Sequence, residues 1–165
     1  MKKIISLLVA LTTIQTAQAD YITQQEFTAI NRVFNLCKNC GEEPKVLVFY
    51  DNDEPESVKN VKEIITYAKN NSIFDIAQTS DIETNFADYN LVLLANSVNY
   101  KDMHKIVDKV KGKKIITAST DIQCVDEGAC LLGVDVSDSI RIFMNNKVFN
   151  DSKVKFNDDL FLLIN

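Results

Sequence analysis

The chain has no tryptophan, one histidine, two prolines and four glycines among its 165 residues. Each scarcity removes a class of chemistry. With glycine only at positions 41, 112, 128 and 133, neither GxGxxG nor GxxxxGK can be written, so phosphate cradles of the dinucleotide and P-loop kinds are excluded. A single histidine, His104, forbids HExxH, and any Ser/His/Asp or Cys/His relay would have to pass through it. Two prolines and scattered glycines rule out a fibrous or linker-rich chain. Positive charge is also in short supply. Eighteen Lys and Arg face 23 Asp and Glu, only Arg32 and Arg141 are arginines, and the lysines are interleaved with acids. No basic stripe is left for a phosphate backbone, so nucleic acid is excluded as a partner.

Beyond the first 19 residues no run approaches the roughly 20 apolar residues of a spanning helix. Residues 1–19 themselves read as a secretory signal peptide. Lys2 and Lys3 form the basic region, Ile4 to Leu11 the apolar region, and Ala17, Gln18, Ala19 a small-x-small cleavage site before Asp20. No cysteine lies near that junction to take a lipid. The expected mature chain, residues 20–165, is a single exported domain of the periplasm, with no membrane insertion of its own. Losing Lys2 and Lys3 leaves 16 basic against 23 acidic residues, a net charge of −7. Its 146 residues are enough for one sizeable core.

What is present is an alternation of helical and extended patterns. Thr23 to Glu26 match a capping box, with Ile22 and Phe27 as a hydrophobic staple. Phe27, Ile30, Phe34 and Cys37 then recur on one helical face, and Gly41 supplies a stop. Lys45 to Tyr50 reads as a strand covered on both sides. Val58, Val61, Ile64, Ile65 and Ala68 mark a second helix; Ile73 to Gln78 and Leu91 to Ala95 read as strands. Met103, Ile106, Val107 and Val110 define a helix closed by Gly112, and Lys114 to Ser119 a fourth strand. Leu131 to Val136 and Ile140 to Asn145 are separated only by Ser137, Asp138 and Ser139, a hairpin signal. A short helix from about Asn157 ends the chain. The fold class is α/β: a three-layer αβα sandwich with a mostly parallel sheet, Rossmann- or flavodoxin-like, ending in a C-terminal β-hairpin.

Four cysteines in a short exported chain read as a disulfide framework with three connectivities. Closeness in sequence favours Cys37 with Cys40 and Cys124 with Cys130, whereas loop-closure entropy does not choose between pairings. Cys37 and Cys40 also spell CxxC, the motif of thiol–disulfide exchange. That chemistry wants the thiolate at a helix N-terminus, and this pair follows a helix C-terminus, which favours a structural bond. A four-cysteine zinc site is disfavoured because five residues separate Cys124 from Cys130. Asp51, Asp53, Glu54 and Glu56 cluster at the carboxyl edge of the first strand, where open α/β sheets bind ligands. One reading is a solute- or metal-binding module using Asp51 and Asp53. The plainer one is a solvated loop whose acids favour the start of the next helix. His104, flanked by Lys101, Asp102 and Lys105, reads as a surface histidine.

The stretch Cys124 to Cys130, the strand ending at Val136, then Arg141, Ile142, Phe143 and Asn145, then Val154, Leu160 and Leu163, resembles the end of the YfiR family of periplasmic regulators. Members show a Gly-containing loop entering a strand, an R-[IV]-x-F-x-x-N type strand and a short helix ending in paired leucines. The preceding order of strands and helices follows the same layout, so the resemblance covers roughly residues 44–163. This chain departs from it in lacking the family's Trp-Pro pattern near the N-terminal helix and in carrying Met144 where members often have Glu. The resemblance implies a three-layer α/β domain without enzymatic activity, metal or cofactor. Such a domain binds the periplasmic part of an inner-membrane diguanylate cyclase and holds it inactive. A loop disulfide of the family maps onto Cys124 and Cys130, and its redox state is thought to tune stability. Monomer and homodimer are both compatible with these features.

Overall fold

Four consecutive apolar side chains, Val46 to Phe49, leave no face that water could cover, and they form the heart of the sheet as β1 (Lys45–Phe49). The computed structural model describes residues 24–71 and 74–164. The signal peptide, the cleavage site, Ile22, Thr23 and Ile73 lie outside the described residues. The remaining strands are β2 (Asp75–Thr79), β3 (Leu91–Leu94), β4 (Ile116–Ser119), β5 (Leu132–Asp135) and β6 (Arg141–Met144). They form one six-stranded sheet in the order β2-β1-β3-β4-β5-β6. The first five run parallel, and β6 closes antiparallel on β5 with Asp135 opposite Arg141 and Leu132 opposite Met144. The α/β class and the mostly parallel, flavodoxin-like sheet are therefore as the patterning predicts.

Helices cover both faces. On one face lie α1 (24–35) and α2 (Pro55–Asn71), whose Ile30 and Ile64 meet Leu93, Ala118 and Val134. Phe27 of α1 stacks on Tyr67 of α2 with ring centroids 5.3 Å apart. On the other face lie α3 (Tyr100–Val110), the single turn α4 (Gln123–Asp126) and α5 (Asn146–Ser152). Met103 and Ile106 of α3 are completely buried. Asn99 caps α3 by accepting from the Asp102 amide at 3.0 Å, and Gly112, at φ +75°, supplies the left-handed residue just beyond its end. Gly133 of β5 has a different reason to be glycine. A Cβ there would lie 2.9 Å from Val125 Cγ2 and 3.2 Å from the Ile122 Cα, so α4 approaches the sheet as closely as it does only because that side chain is missing.

Several boundaries differ from the sequence reading. Lys114 is in a turn at φ +62°, and β4 begins at Ile116. α1 ends by residue 35, so Gly41, at φ +100°, follows the CxxC loop and does not cap the helix. Two helices, α4 and α5, and a 3-10 turn at Phe86–Asp88 were not expected. The last helix, α6 (Asp158–Phe161), starts after Asn157 as read. Beyond it Ile164 bridges in parallel to Ile142, so the chain end lies along the outer edge of β6.

Candidate functional site

The two cysteine pairs each close a loop that is tied into its surroundings. Cys37–Cys40 and Cys124–Cys130 are joined as disulfides, with Cα atoms 5.7 and 5.4 Å apart. The larger loop carries α4 and folds back over β5, and both of its cysteines are fully buried. Its central tie is Asn145. The Asn145 amide nitrogen Nδ2 donates to the Val125 carbonyl at 2.7 Å, its Oδ1 accepts from the Val148 amide at 2.9 Å, and its backbone N–H donates to the Leu131 carbonyl at 3.0 Å. One side chain thus caps α5 and fastens the disulfide loop to the end of the hairpin. The hairpin has a brace of its own. Arg141 and Asp135, directly opposite in register, form an ion pair, and the Ser137 amide and hydroxyl donate to the same carboxylate. Those two bonds first, and then Arg141, hold the Asp135 carboxyl below the usual range.

The CxxC loop clasps the chain's C-terminal segment. Lys38 N–H donates to the Lys155 carbonyl at 2.7 Å, and Asn157 N–H donates to the Leu36 carbonyl at 2.8 Å. Asn39, between the two cysteines, donates to the Lys153 carbonyl at 2.9 Å and accepts from the Lys155 amide at 2.8 Å. A backbone bridge joins Cys37 to Phe156, whose ring stacks on Phe149 of α5 at 5.9 Å between centroids. Residues 36–40 and 153–157 therefore form a single structural element, positioned at the C-terminal end of α1.

The acidic edge is organised differently from a ligand cage. Asp51 Oδ1 accepts from the Asp53 amide at 3.0 Å, and Oδ2 accepts from Asn99 Nδ2 at 3.1 Å. Glu56 accepts from the Ser97 hydroxyl at 3.2 Å, and Asn60 Oδ1 accepts from the Asn96 amide at 3.0 Å. These contacts stitch the turn after β1 to the turn after β3, across the point where the strand order reverses. Asp53 and Glu54 point no side-chain oxygen at another described residue. Among the described residues no group of three His, Cys, Asp or Glu side chains is gathered as for a metal ion. His104 is exposed on α3, without a hydrogen-bonding partner among the described residues.

Glu26, read in the sequence as part of a capping box, is partly buried in a way the sequence does not show. Glu26 of α1 sits in the narrow cleft beside Phe27, Ile64 and Leu94. Burial first, and then the nearby Glu63, push its pKa up to about 7. Raised above its unfolded value, this acid favours the folded state while protonated. Stability from this group therefore falls as pH rises from about 4.5 to about 7 and is level above that. Glu26→Gln is expected to raise stability at pH 8 by about 1–2 kcal/mol, a value reduced for the open side of the cleft, and to leave pH 4 stability nearly unchanged. Urea unfolding at the two pH values measures it, and an equal effect at both would contradict the assignment.

Among the described residues no helix is long and apolar enough to cross a membrane. Comparison with known protein families and with curated proteins finds no match.

Proposed function

We propose that this protein is an exported, non-enzymatic regulator of the YfiR type, which binds the periplasmic part of a membrane-bound diguanylate cyclase and restrains it. The observation that carries the reading is the structural unity of the residues on which the resemblance rests. The Cys124–Cys130 loop, the β5–β6 hairpin, Asn145 and α5 are not scattered positions but one braced unit, and Phe161 of α6 packs edge-on to Phe149 of α5. A rigid unit of this kind suits a surface that must be recognised in one shape. Export through a leader ending at Ala19 belongs to the same proposal. Paired cysteines support it, because disulfides persist in oxidising compartments.

The direct test is co-purification. A C-terminally tagged full chain, produced at native level in its own cell and isolated from detergent extract, is expected to bring down a membrane protein carrying a diguanylate cyclase domain, identified by mass spectrometry. Recovery of the tagged chain without any cyclase, under conditions that retain other membrane complexes, contradicts the proposal.

A further inference from the structure

A cavity of about 330 Å³ forms a groove between α3, the Cys124–Cys130 loop and α5, with β4 beneath it. Its volume falls in the range of small-molecule sites. The floor is apolar, built from Val107, Val110, Ile115 and Val148, of which the last three are buried. Two buried hydroxyls, those of Thr117 and Ser152, interrupt it. Thr117, 1 % exposed, accepts from the Leu131 amide at 2.9 Å, and the Ser152 hydroxyl donates to the Phe149 carbonyl at 2.8 Å, so both are held within the protein.

The rim is charged in a particular way. Asp151 and Lys111 close one end as an ion pair at 2.9 Å. Asp108, Asp126 and Glu127 line the walls with carboxylates that make no side-chain hydrogen bond or ion pair among the described residues, and Lys147 is the one other lysine. Four carboxylates against two lysines leave an excess of two acidic side chains around an apolar floor. They are not drawn together as for a metal, since no three ligating side chains converge. The length of the groove agrees. His104 on α3 and Lys111, the residue just past its end, both lie on the wall and are seven positions apart, about 10 Å along the helix axis.

We propose that this groove is a binding site for a short aliphatic diamine in its doubly protonated form, 1,4-diaminobutane or 1,5-diaminopentane in length. The methylenes lie on the valine and isoleucine floor, and the two ammonium groups meet carboxylates at separate points of the rim, Asp126 and Glu127 supplying one of them. The proposal is independent of the regulator reading, because it concerns the isolated protein.

Calorimetric titration of the purified full chain at low ionic strength tests it. 1,4-Diaminobutane is expected to bind saturably and about tenfold more tightly than butylamine, since the second ammonium adds a charge-assisted hydrogen bond. Glutarate, of similar length and opposite charge, is expected not to bind. Asp126→Asn with Glu127→Gln, both exposed and safe for folding, should weaken the diamine about tenfold. Asp53→Asn with Glu54→Gln, which removes the same charge from the acidic edge, should leave binding unchanged. Equal affinity for diamine and butylamine, equal loss in both double variants, or no saturable binding would each overturn the site.

Discussion

Replacing Cys124 and Cys130 together by alanine is expected to lower stability by about 3–4 kcal/mol. Closing a ring of this size removes chain entropy from the unfolded state worth about 2 kcal/mol. Both cysteines are fully buried, so the variant also leaves two small voids where the sulfurs packed, at about 1 kcal/mol each or somewhat less. The Cys37–Cys40 pair closes a smaller ring, and Cys37 is partly exposed. Its removal should cost less, about 2 kcal/mol. Urea unfolding of both variants under non-reducing conditions gives the comparison. A smaller loss for the 124–130 pair than for the 37–40 pair would mean that the loop is not the brace its burial indicates. The reduced wild type should resemble the 124–130 variant more than the other, because that pair dominates the loss.

Asn145→Ala should cost about 2 kcal/mol, or about 4–8 °C in Tm. The cap on α5 accounts for about 1 kcal/mol. The bond to the Val125 carbonyl accounts for the rest, a moderate share because that carbonyl also accepts from the Gly128 amide at 3.1 Å. Asn145→Ser separates the two contributions. A serine oxygen can still accept from the Val148 amide but is too short to reach the loop, so it is expected to recover about half of the loss. Thermal unfolding of the two variants measures this, and equal stability of alanine and serine would show that capping contributes nothing here.

Two of the central strands were legible because each is an unbroken apolar run. Val46 to Phe49 and Leu91 to Leu94 have no polar face to hide, and only a doubly covered sheet accommodates them. The helix ends at Asn99 and Gly112 were marked by residue types whose local chemistry acts alone. What was missed depended on distant partners. Asn145 reads as the end of a strand, but β6 ends one residue earlier, at Met144. That its side chain begins a helix follows from the Val148 amide and from the position of the loop at Val125, which no local pattern specifies. α5 has only Val148 and Ser152 as an inward face, too short a period to be seen. The Cys37–Cys40 bond was legible from closeness in sequence, but the grip of its loop on residues 153–157 spans more than 110 positions of sequence. Glu26 carried only a capping signal, and nothing in it marks a partly buried acid, since a glutamate in the first turn of a helix is ordinary. Its burial arises from α2 and the sheet closing around it. The charged groove beside the disulfide loop was equally hidden, as its walls come from three separate segments.

The acidic edge shows the reverse case. Four carboxylates in six residues drew attention in the sequence, and the fold uses two of them, Asp51 and Glu56, to join neighbouring turns. Density of one residue type is a weaker guide than convergence of several elements on one space.

The central claim, restraint of a membrane-bound cyclase, is tested most directly by cellular cyclic di-GMP in a strain deleted for this gene and complemented with wild type or with the Cys124→Ser, Cys130→Ser variant. The account predicts a clear rise on deletion, reversed by the wild type and less completely by the variant, whose loop has lost its brace. An unchanged level in cells that normally produce the protein would contradict it.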